Sequence, residues 1–570
     1  MKKILSFLFI IFLCSCSLEE KEEDKTTYYK IDEDVYVNYE PGIYNEPFEL
    51  KIKSNKEILY SLDSSIPNEV YDNPITVDKY LSKDVNDYPL TKSVDGILAW
   101  DKGGKVVSKS YQDYIQRPGK YNLYDKQFVL TISYDNNGVK KTRSLSYIFG
   151  EFDIPVVSLS MPYDNWFGKT GIYNNIRDEY EQRCNFEYFD LEYDEYFYIN
   201  TQIKIGGNYT MGYPQRTLNL NFNKDEYGNN QKKVNAHIFK DNKTLDNSSD
   251  LVKFSRLRLH NGGNCYENYT GINDAILHEM MRGTNVSTTS YRPCIVYLNG
   301  EYWGLYSIRE HYKKPYFSTN YGVVNDSVAI YDYKGEFVFN DGDDSDFENF
   351  FARLNEHLDK DFRDNNVYYD FIDKYVDIDS FIDVMIAEIF VCNRDFVGNN
   401  NNLKAWRTTS VDPNNFYADG RLRFCLHDAD FAFTDASYWN FLDPNITNSY
   451  TEFKMFRKLL DNNEFKDKFY QRAVELVDTN LSYENACRVI DSKTSEIAPY
   501  KEQSNYRWGL FFWGKEINNI NKVGLEGWFY EIEYAKNFVN TRINNHDEFK
   551  EENGNQNERN FLDAIYESLY

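Results

Sequence analysis

The chain has 570 residues, with 90 Asp or Glu against 64 Lys or Arg, for a formal net charge of −26. No basic patch interrupts that acidity, which argues against a nucleic-acid partner and disfavours direct contact with anionic head groups. At this length, with 41% hydrophobic and 17% aromatic residues, the chain is expected to hold more than one domain with sizeable cores. Its 50 Tyr and 40 Phe fit an AT-rich coding sequence better than an aromatic binding role.

Lys2 and Lys3 precede a mostly apolar run, Ile4 to Leu13, which is too short to span a bilayer as a helix and reads as a targeting segment. Leu13-Cys14-Ser15-Cys16 is similar to a bacterial lipobox. That gives a signal peptide over 1–15, lipidation of Cys16 and a charged tether over 16–34; an unlipidated secretory signal is the alternative. The expectation is a protein of the bacterial cell envelope, lipid-anchored to a membrane and facing the periplasm or the exterior. Six further cysteines, Cys184, Cys265, Cys294, Cys392, Cys425 and Cys487, show no CxxC or CxxH spacing, so zinc is not supported. Export permits disulfides, but spacing does not pair them. Cys392 and Cys425 sit in apolar runs and are expected to be buried.

Over 35–150, short alternating runs (FELKIKS, EILYSLD, FVLTISYD, TRSLSYIF) between Asn, Asp, Gly and Pro turns predict a small all-β sandwich. Pro41 to Tyr44, Pro47 to Leu50, Ile58 to Asp63 and Pro67 resemble the chitobiase/hexosaminidase C-terminal-type β-sandwich module, with Ser64 where its YYTLDGSxP pattern has Gly. The resemblance implies a spacer or accessory domain; glycan contact follows only by analogy.

Next, Gln202 to Ile205 runs into Gly206-Gly207-Asn208-Tyr209-Thr210, and Pro214 to Phe222 returns as a strand. A strand, Gly-rich turn and strand can lay backbone N–H groups over phosphates, although a Gly-Gly hairpin is also ordinary turn chemistry. The acidic stretch Glu336 to Phe350 lacks EF-hand spacing and reads as a solvated loop rather than a Ca²⁺ site at Asp341, Asp343, Asp344 and Asp346.

An apolar helix, Phe381 to Val391, then feeds an acidic loop through Asp395 and Asn400. A hairpin follows, Leu403 to Thr409 and Arg421 to Phe433, ending in Asp428-Ala429-Asp430. The hairpin can bring Asp395, Asn400 and Asp428 to one end of a sheet. That is the arrangement phosphoryl transfer needs: one carboxylate orients and deprotonates a hydroxyl, while the amide oxygen and second carboxylate hold a metal on the phosphates. Oxygen ligands of this kind suit Mg²⁺ or Mn²⁺. Asn runs and Asp at strand ends are also common turn chemistry. From Thr447 onward, Phe453 to Leu460, Phe465 to Val477 and Trp528 to Ile543 carry helical apolar spacing. The tail, 548–570, starts charged and Asn-rich and ends in a short predicted helix.

Asn393-Arg394-Asp395 resembles a kinase HRD triplet with Asn for His, and Asp428-Ala429-Asp430-Phe431 stands where a DFG would. Together with Val296 to Tyr312 (VYLNGEYWGLYSIREHY), and above all its Asn299 to Tyr306 run, these segments resemble the CotH family, the spore-coat-protein-H-type atypical kinases, over about Phe152 to His546. The resemblance implies an α+β chain: a kinase-like domain over 151–547, with a β-rich N-lobe and a helical C-lobe, preceded by the sandwich. It implies transfer of the ATP γ-phosphate to protein Ser or Thr with Mg²⁺ or Mn²⁺. Asp395 would be catalytic, Asp428, Asn400 and Asp430 would hold metal, and Gly207, Asn208, Arg216 and Glu310 would contact the nucleotide phosphates. Glu310 would pair with Arg216, face the nucleotide, or stand at the surface beside Arg309.

The sequence also departs from the family. Where the family reads close to RGNSSR and PKKS, Gly206 and Met211 replace Arg and Arg216 replaces Lys. In Arg256 to Asn264 (RLRLHNGGN), resembling LRNGGND, His260 replaces Arg, and Cys265 stands where the family has Asp. Asn273 also replaces a usual Arg, while Asp274 is kept. Arg is not a geometric stand-in for Lys. The loss of cationic positions leaves a second expectation, a catalytically degenerate surface lipoprotein acting in adhesion or envelope assembly through a protein ligand. A third is a carbohydrate-associated surface protein with a glycan ligand on 35–147. His311 and His427 are assigned no role.

Overall fold

The computed structural model describes residues 26–82, 84–95, 124–176, 180–208, 210–222, 232–240, 242–243, 249–263, 270–393, 395–434, 450, 453–508, 525–544 and 560–570. The expected signal segment, Cys16, Cys265 and Arg394 lie outside them.

Near the N-terminus, strands Tyr29–Asp32, Val35–Val37 and Ile52–Ser54 form one antiparallel sheet. Gly42–Tyr44, Val139–Phe149, Phe128–Asn136, Leu59–Ser61 and Glu69–Val70 form a second, in that order. Leu130, Ile132 and Tyr134 alternate toward a core that also takes Leu145, Tyr147 and Phe149 from the facing strand, with Val35 and Val37 from the other sheet. The hairpin between the two long strands turns on Asn137 and Gly138, both left-handed, as the favoured two-residue turn requires. Ser64 is also left-handed, at φ 60°, a conformation that favours glycine.

The expected span of this sandwich, 35–150, is interrupted. Tyr80–Ser82 pairs with Tyr124–Lys126, which pairs in turn with Glu301–Glu310 of the next sheet. The short helix Pro89–Asp95 goes with them: the N–H groups of Leu90 and Thr91 donate to the buried Glu301 carboxylate at 3.0 and 2.7 Å, offsetting part of the burial that raises its pKa.

That next sheet runs Arg256–His260, Leu218–Asn221, Glu195–Ile205, Gln182–Asp190, Val156–Ser160, Tyr291–Leu298 and Glu301–Glu310. The first strand also pairs with the last, Leu257 opposite Glu310 and His260 opposite Ser307. The seven strands therefore close into a ring without a free edge. All neighbours are antiparallel except Val156–Ser160 against Tyr291–Leu298. Val157, Leu159, Phe186, Leu218, Leu257 and Trp303 belong to its core.

The remaining half is mostly helical. Helix Ile378–Phe390 is apolar on nearly all sides and buried at every position but Asp379, with Asp377 capping it by accepting from the Ser380 N–H. It packs under a four-stranded sheet of Phe337–Gly342, Val328–Tyr333, Lys404–Thr408 and Arg423–Cys425. The hairpin expected from sequence is present, in the register Lys404 opposite Cys425. Cys392 and Cys425 are buried free thiols. The acidic stretch is not a solvated loop: Phe337–Gly342 is a strand and Phe347–Leu358 a helix. Its apolar residues decide this, because Phe350, Phe351 and Leu354 bury one helical face while Arg407 grips Asp346 through both nitrogens, at 2.9 and 3.2 Å.

Helices Lys454–Leu459, Asn463–Asp478 and Leu525–Asn544 match the expected periodic segments, and Phe561–Leu569 ends the chain. The long helix Tyr483–Trp508 was not anticipated. Its end ties the two halves together: the Trp508 indole N–H donates to the Trp303 carbonyl at 2.8 Å, and the two rings meet edge to face. No helix among the described residues is long and apolar enough to cross a membrane.

Candidate active-site cleft

Between the closed ring and the helical half lies a cleft of about 410 Å³, and Asp395, Asp428 and Asp430 all line it. The two acidic loops are bound to each other through two asparagines. Asn393 accepts from the Asp395 N–H at 3.1 Å through its side-chain oxygen, and its amide donates to the Glu388 carboxylate at 2.8 Å and to the Asp428 carbonyl at 3.5 Å. Asn402 donates to the Asp395 carboxylate and to the Asp428 carbonyl, both at 3.2 Å, and Asn401 adds a bond to the same carboxylate at 3.1 Å.

Asn400 is placed differently from its expected role as a metal ligand. It is exposed, it is not among the residues lining the cleft, and its carboxamide abuts Gly335. The reason is local: a single 3₁₀ turn over Val397–Asn399, followed by left-handed conformations at Asn400 and Asn402, returns Asn401 and Asn402 toward Asp395 instead. Sequence spacing alone did not reveal this turn.

Asp430 sits against Gly263, where φ is +77° and a Cβ would collide with the carboxylate. That explains the second glycine of Arg256 to Asn264 as a close-approach position. Gly207, at φ +93°, and Asn208 also line the cleft.

Arg216 does not reach the cleft. It is buried, donates to the carbonyls of Tyr213 and Tyr173 at 2.9 and 2.6 Å, and stacks on the Tyr173 ring. The segment leading into strand Leu218–Asn221 turns it into the interior, so its assignment to the phosphates is corrected. Glu310 lines the cleft but does not pair with Arg216. Its carboxylate accepts from the Ser290 N–H at 3.0 Å and from Asn320 at 3.3 Å.

Asp274, kept in the sequence but given no role there, gains one here, and further site residues carry no motif. Asp274 and Arg309 form a buried ion pair at 2.5 Å, and the other Asp274 oxygen accepts from the Ala429 N–H at 3.0 Å and lies 3.3 Å from His278 Nε2. His278 Nδ1 accepts from the Thr289 N–H at 2.8 Å, which fixes its tautomer. Lys404 is ion-paired with Asp332, and Arg258 contacts Asn219 at 3.0 Å and His311 at 3.2 Å. A signal for Arg258 and His260 was present: Leu257 and Leu259 alternate with them on one strand, so the polar residues occupy the opposite face. His311 and His427, unassigned from sequence, also line the cleft.

Electrostatics divides these groups. Burial, then Asp274 and Asp395, push the Asp428 carboxyl up to about 6, against the pull of Asp430 and Arg258. Burial opposes ionisation of Asp274, but Arg309 and then His278 hold it well below the usual carboxylate range. Burial pushes His260 and His427 down to about 3, so both are neutral near pH 7. A buried carboxyl crowded by other carboxylates is a place where a cation is stabilising. Among the described residues, no three His, Cys, Asp or Glu side chains converge as a ready-made metal site. An oxygen-only pair such as Asp428 and Asp430 still fits Mg²⁺, which usually takes one or two carboxylates and completes its shell with phosphate and water.

The fold is therefore α+β, with its acidic loops and cations gathered at one cleft. A family model described as CotH kinase protein matches residues 203–545, a span that contains every cleft residue named above. The chain belongs to the CotH family. No curated protein matches it.

Proposed function

We propose that this protein is a metal-dependent atypical kinase that transfers the γ-phosphate of ATP to Ser or Thr of a protein substrate. The observation that carries the reading is the mutual fixing of Asp395 and Asp428 by Asn402, at 3.2 Å to each. Two carboxylates on separate loops are held beside Arg258 and Lys404 in one cleft. Asp395, held by two amides, orients the acceptor hydroxyl and takes its proton. Gly207 and Asn208 face the phosphates from the ring side. Arg258 supplies positive charge, a role sequence had given to Arg216. Asp428 and Asp430 would hold Mg²⁺ or Mn²⁺, which would neutralise phosphate charge when bound.

The kinase-like reading of the fold rests on the β-rich ring, the helical half and the cleft between them. The N-terminal segment supports export, with Cys16 lipidated and the protein anchored in the cell envelope. Left-handed Ser64 supports the chitobiase/hexosaminidase-type reading of the sandwich, because that module has Gly there.

A second reading, a degenerate kinase fold that binds a surface partner without turnover, is favoured by one observation. Arg309 and Lys404 are already matched to Asp274 and Asp332, and Arg216 is turned inward. The test is incubation of the exported chain with γ-labelled ATP, Mg²⁺ or Mn²⁺ and Ser/Thr-containing acceptors. Phosphoserine or phosphothreonine supports the kinase; no label on chain or acceptor with either metal leaves the second reading.

A further inference from the structure

Beside the cleft, and sharing Glu310, His311 and Lys313 with it, runs a shallow groove that also takes Lys233, Lys253 and Arg256. Lys233 and Lys253 are exposed, and Arg256 is half-buried. Among the described residues, no carboxylate pairs with any of these three. In a chain of net charge −26, an unmatched group of cations is unusual.

Glu310, the acid lining the groove, does not answer them. Its two oxygens accept from the Ser290 N–H and the Asn320 amide. Among the described residues, Lys313 meets Asn340 at 3.3 Å and Asp341 at 3.7 Å. The field reaches the boundary with the cleft: burial keeps His311 neutral first, and Arg258, Lys313, Arg256 and Lys404 reinforce it. The rest of the lining mixes Ser255, Thr319 and Asn320 with Phe254, Pro315 and Tyr316, so the cations rather than apolar contact decide what the groove takes.

We propose that this groove docks an acidic segment of the acceptor protein, its carboxylate or phosphorylated side chains seated against Lys233, Lys253 and Arg256. The further step, delivery of a neighbouring Ser or Thr hydroxyl to Asp395, rests on the kinase reading; docking itself does not. Complementary charge across such a surface sets partner choice and encounter rate more than affinity, and it weakens with salt.

The test uses fluorescence anisotropy with the full exported chain and three labelled Ser peptides, flanked by Glu, by Gln or by Lys. The Glu peptide is expected to bind about tenfold or more tightly than the Gln peptide at low salt and to lose that advantage as salt rises. Lys233→Glu/Lys253→Glu, both at exposed positions, is expected to abolish the preference with an unchanged melting temperature. Equal binding of the Glu and Gln peptides, or a preference that survives the double reversal, would overturn the inference. Displacement of the Glu peptide by MgATP would also overturn it, assigning the groove to nucleotide phosphate. Docking that persists in Asp395→Ala, with no label transfer by the parent, would leave the groove as assigned and remove the kinase reading.

Discussion

Asp274 and Arg309 meet in a buried ion pair at 2.5 Å that joins the helix Asn273–Met280 to the ring strand Glu301–Glu310. The second oxygen of Asp274 accepts from the Ala429 N–H, so the same carboxylate also fixes the loop that carries Asp428 and Asp430. Asp274 is thus the joint between ring, helix and acidic loop.

Removing one member of this pair leaves the other buried and unmatched. Asp274→Ala is expected to lower unfolding free energy by about 3–5 kcal/mol, read by urea denaturation. Asp274→Ala/Arg309→Met is expected to recover part of that loss. A single substitution costing no more than a surface change would show that the pair is hydrated and that the joint lies elsewhere.

The raised Asp428 carboxyl gives nucleotide binding a pH signature. Metal binding requires the carboxylate. Affinity for MgATP, by titration calorimetry, is therefore expected to climb as pH rises through about 6 and to level off above it. Asp428→Asn is expected to bind weakly at every pH, without that rise.

Arg216 separates the geometric account from the motif account. Arg216→Met deletes two buried donors and a stacked guanidinium, so a loss of about 2–4 kcal/mol of stability is expected. The KM for ATP of the folded fraction should stay unchanged. Arg258→Met should do the reverse, raising KM. If Arg216→Met raises KM and leaves the melting temperature alone, Arg216 faces the cleft instead of the interior.

Glu388 lies wholly buried beneath the acidic loops, accepting from Asn393, and burial pushes its carboxyl up to about 8 from a usual 4.5. The folded value is raised, so the stabilising neutral form is fully present below about 4.5, and its contribution is lost as pH rises through about 8. Glu388→Gln keeps an acceptor for Asn393 and removes the titration. The melting-temperature difference, variant minus parent, is expected to grow from pH 5 to pH 8.5, roughly across that window. A constant difference would mean that Glu388 is neutral or solvated throughout.

The helix, hairpin and acidic loops were legible because each is local. Ile378–Phe390 is an apolar helix, a polar turn separates the two short hairpin strands, and both Asp residues follow strand or helix ends. The closed ring was not legible, because pairing of Arg256–His260 with Glu301–Glu310 is a long-range contact with no local trace. The same holds for Asp274 and Arg309, which only the ring brings together. Asn400 and Arg216 differ for another reason: one left-handed residue, or one inward turn just before a strand, changes which side chain faces the cleft while sequence spacing stays the same. The charges of 336–350 suggest a solvated loop, but its buried phenylalanines Phe350 and Phe351 hold it in a helix against the core.

Asp395 and Asp428, held together by Asn402, are the phosphoryl-transfer centre we propose, with Asn400 outside it. The most direct measurement is the initial rate of γ-phosphate transfer from labelled ATP by Asp395→Ala, Asp428→Ala, Asn402→Ala and Asn400→Ala beside the parent. The account predicts loss of about 10²-fold or more in the two Asp variants, a clear fall in Asn402→Ala and near-parental transfer in Asn400→Ala. Parental rates in either Asp variant, or loss in Asn400→Ala with Asn402→Ala unaffected, would contradict it.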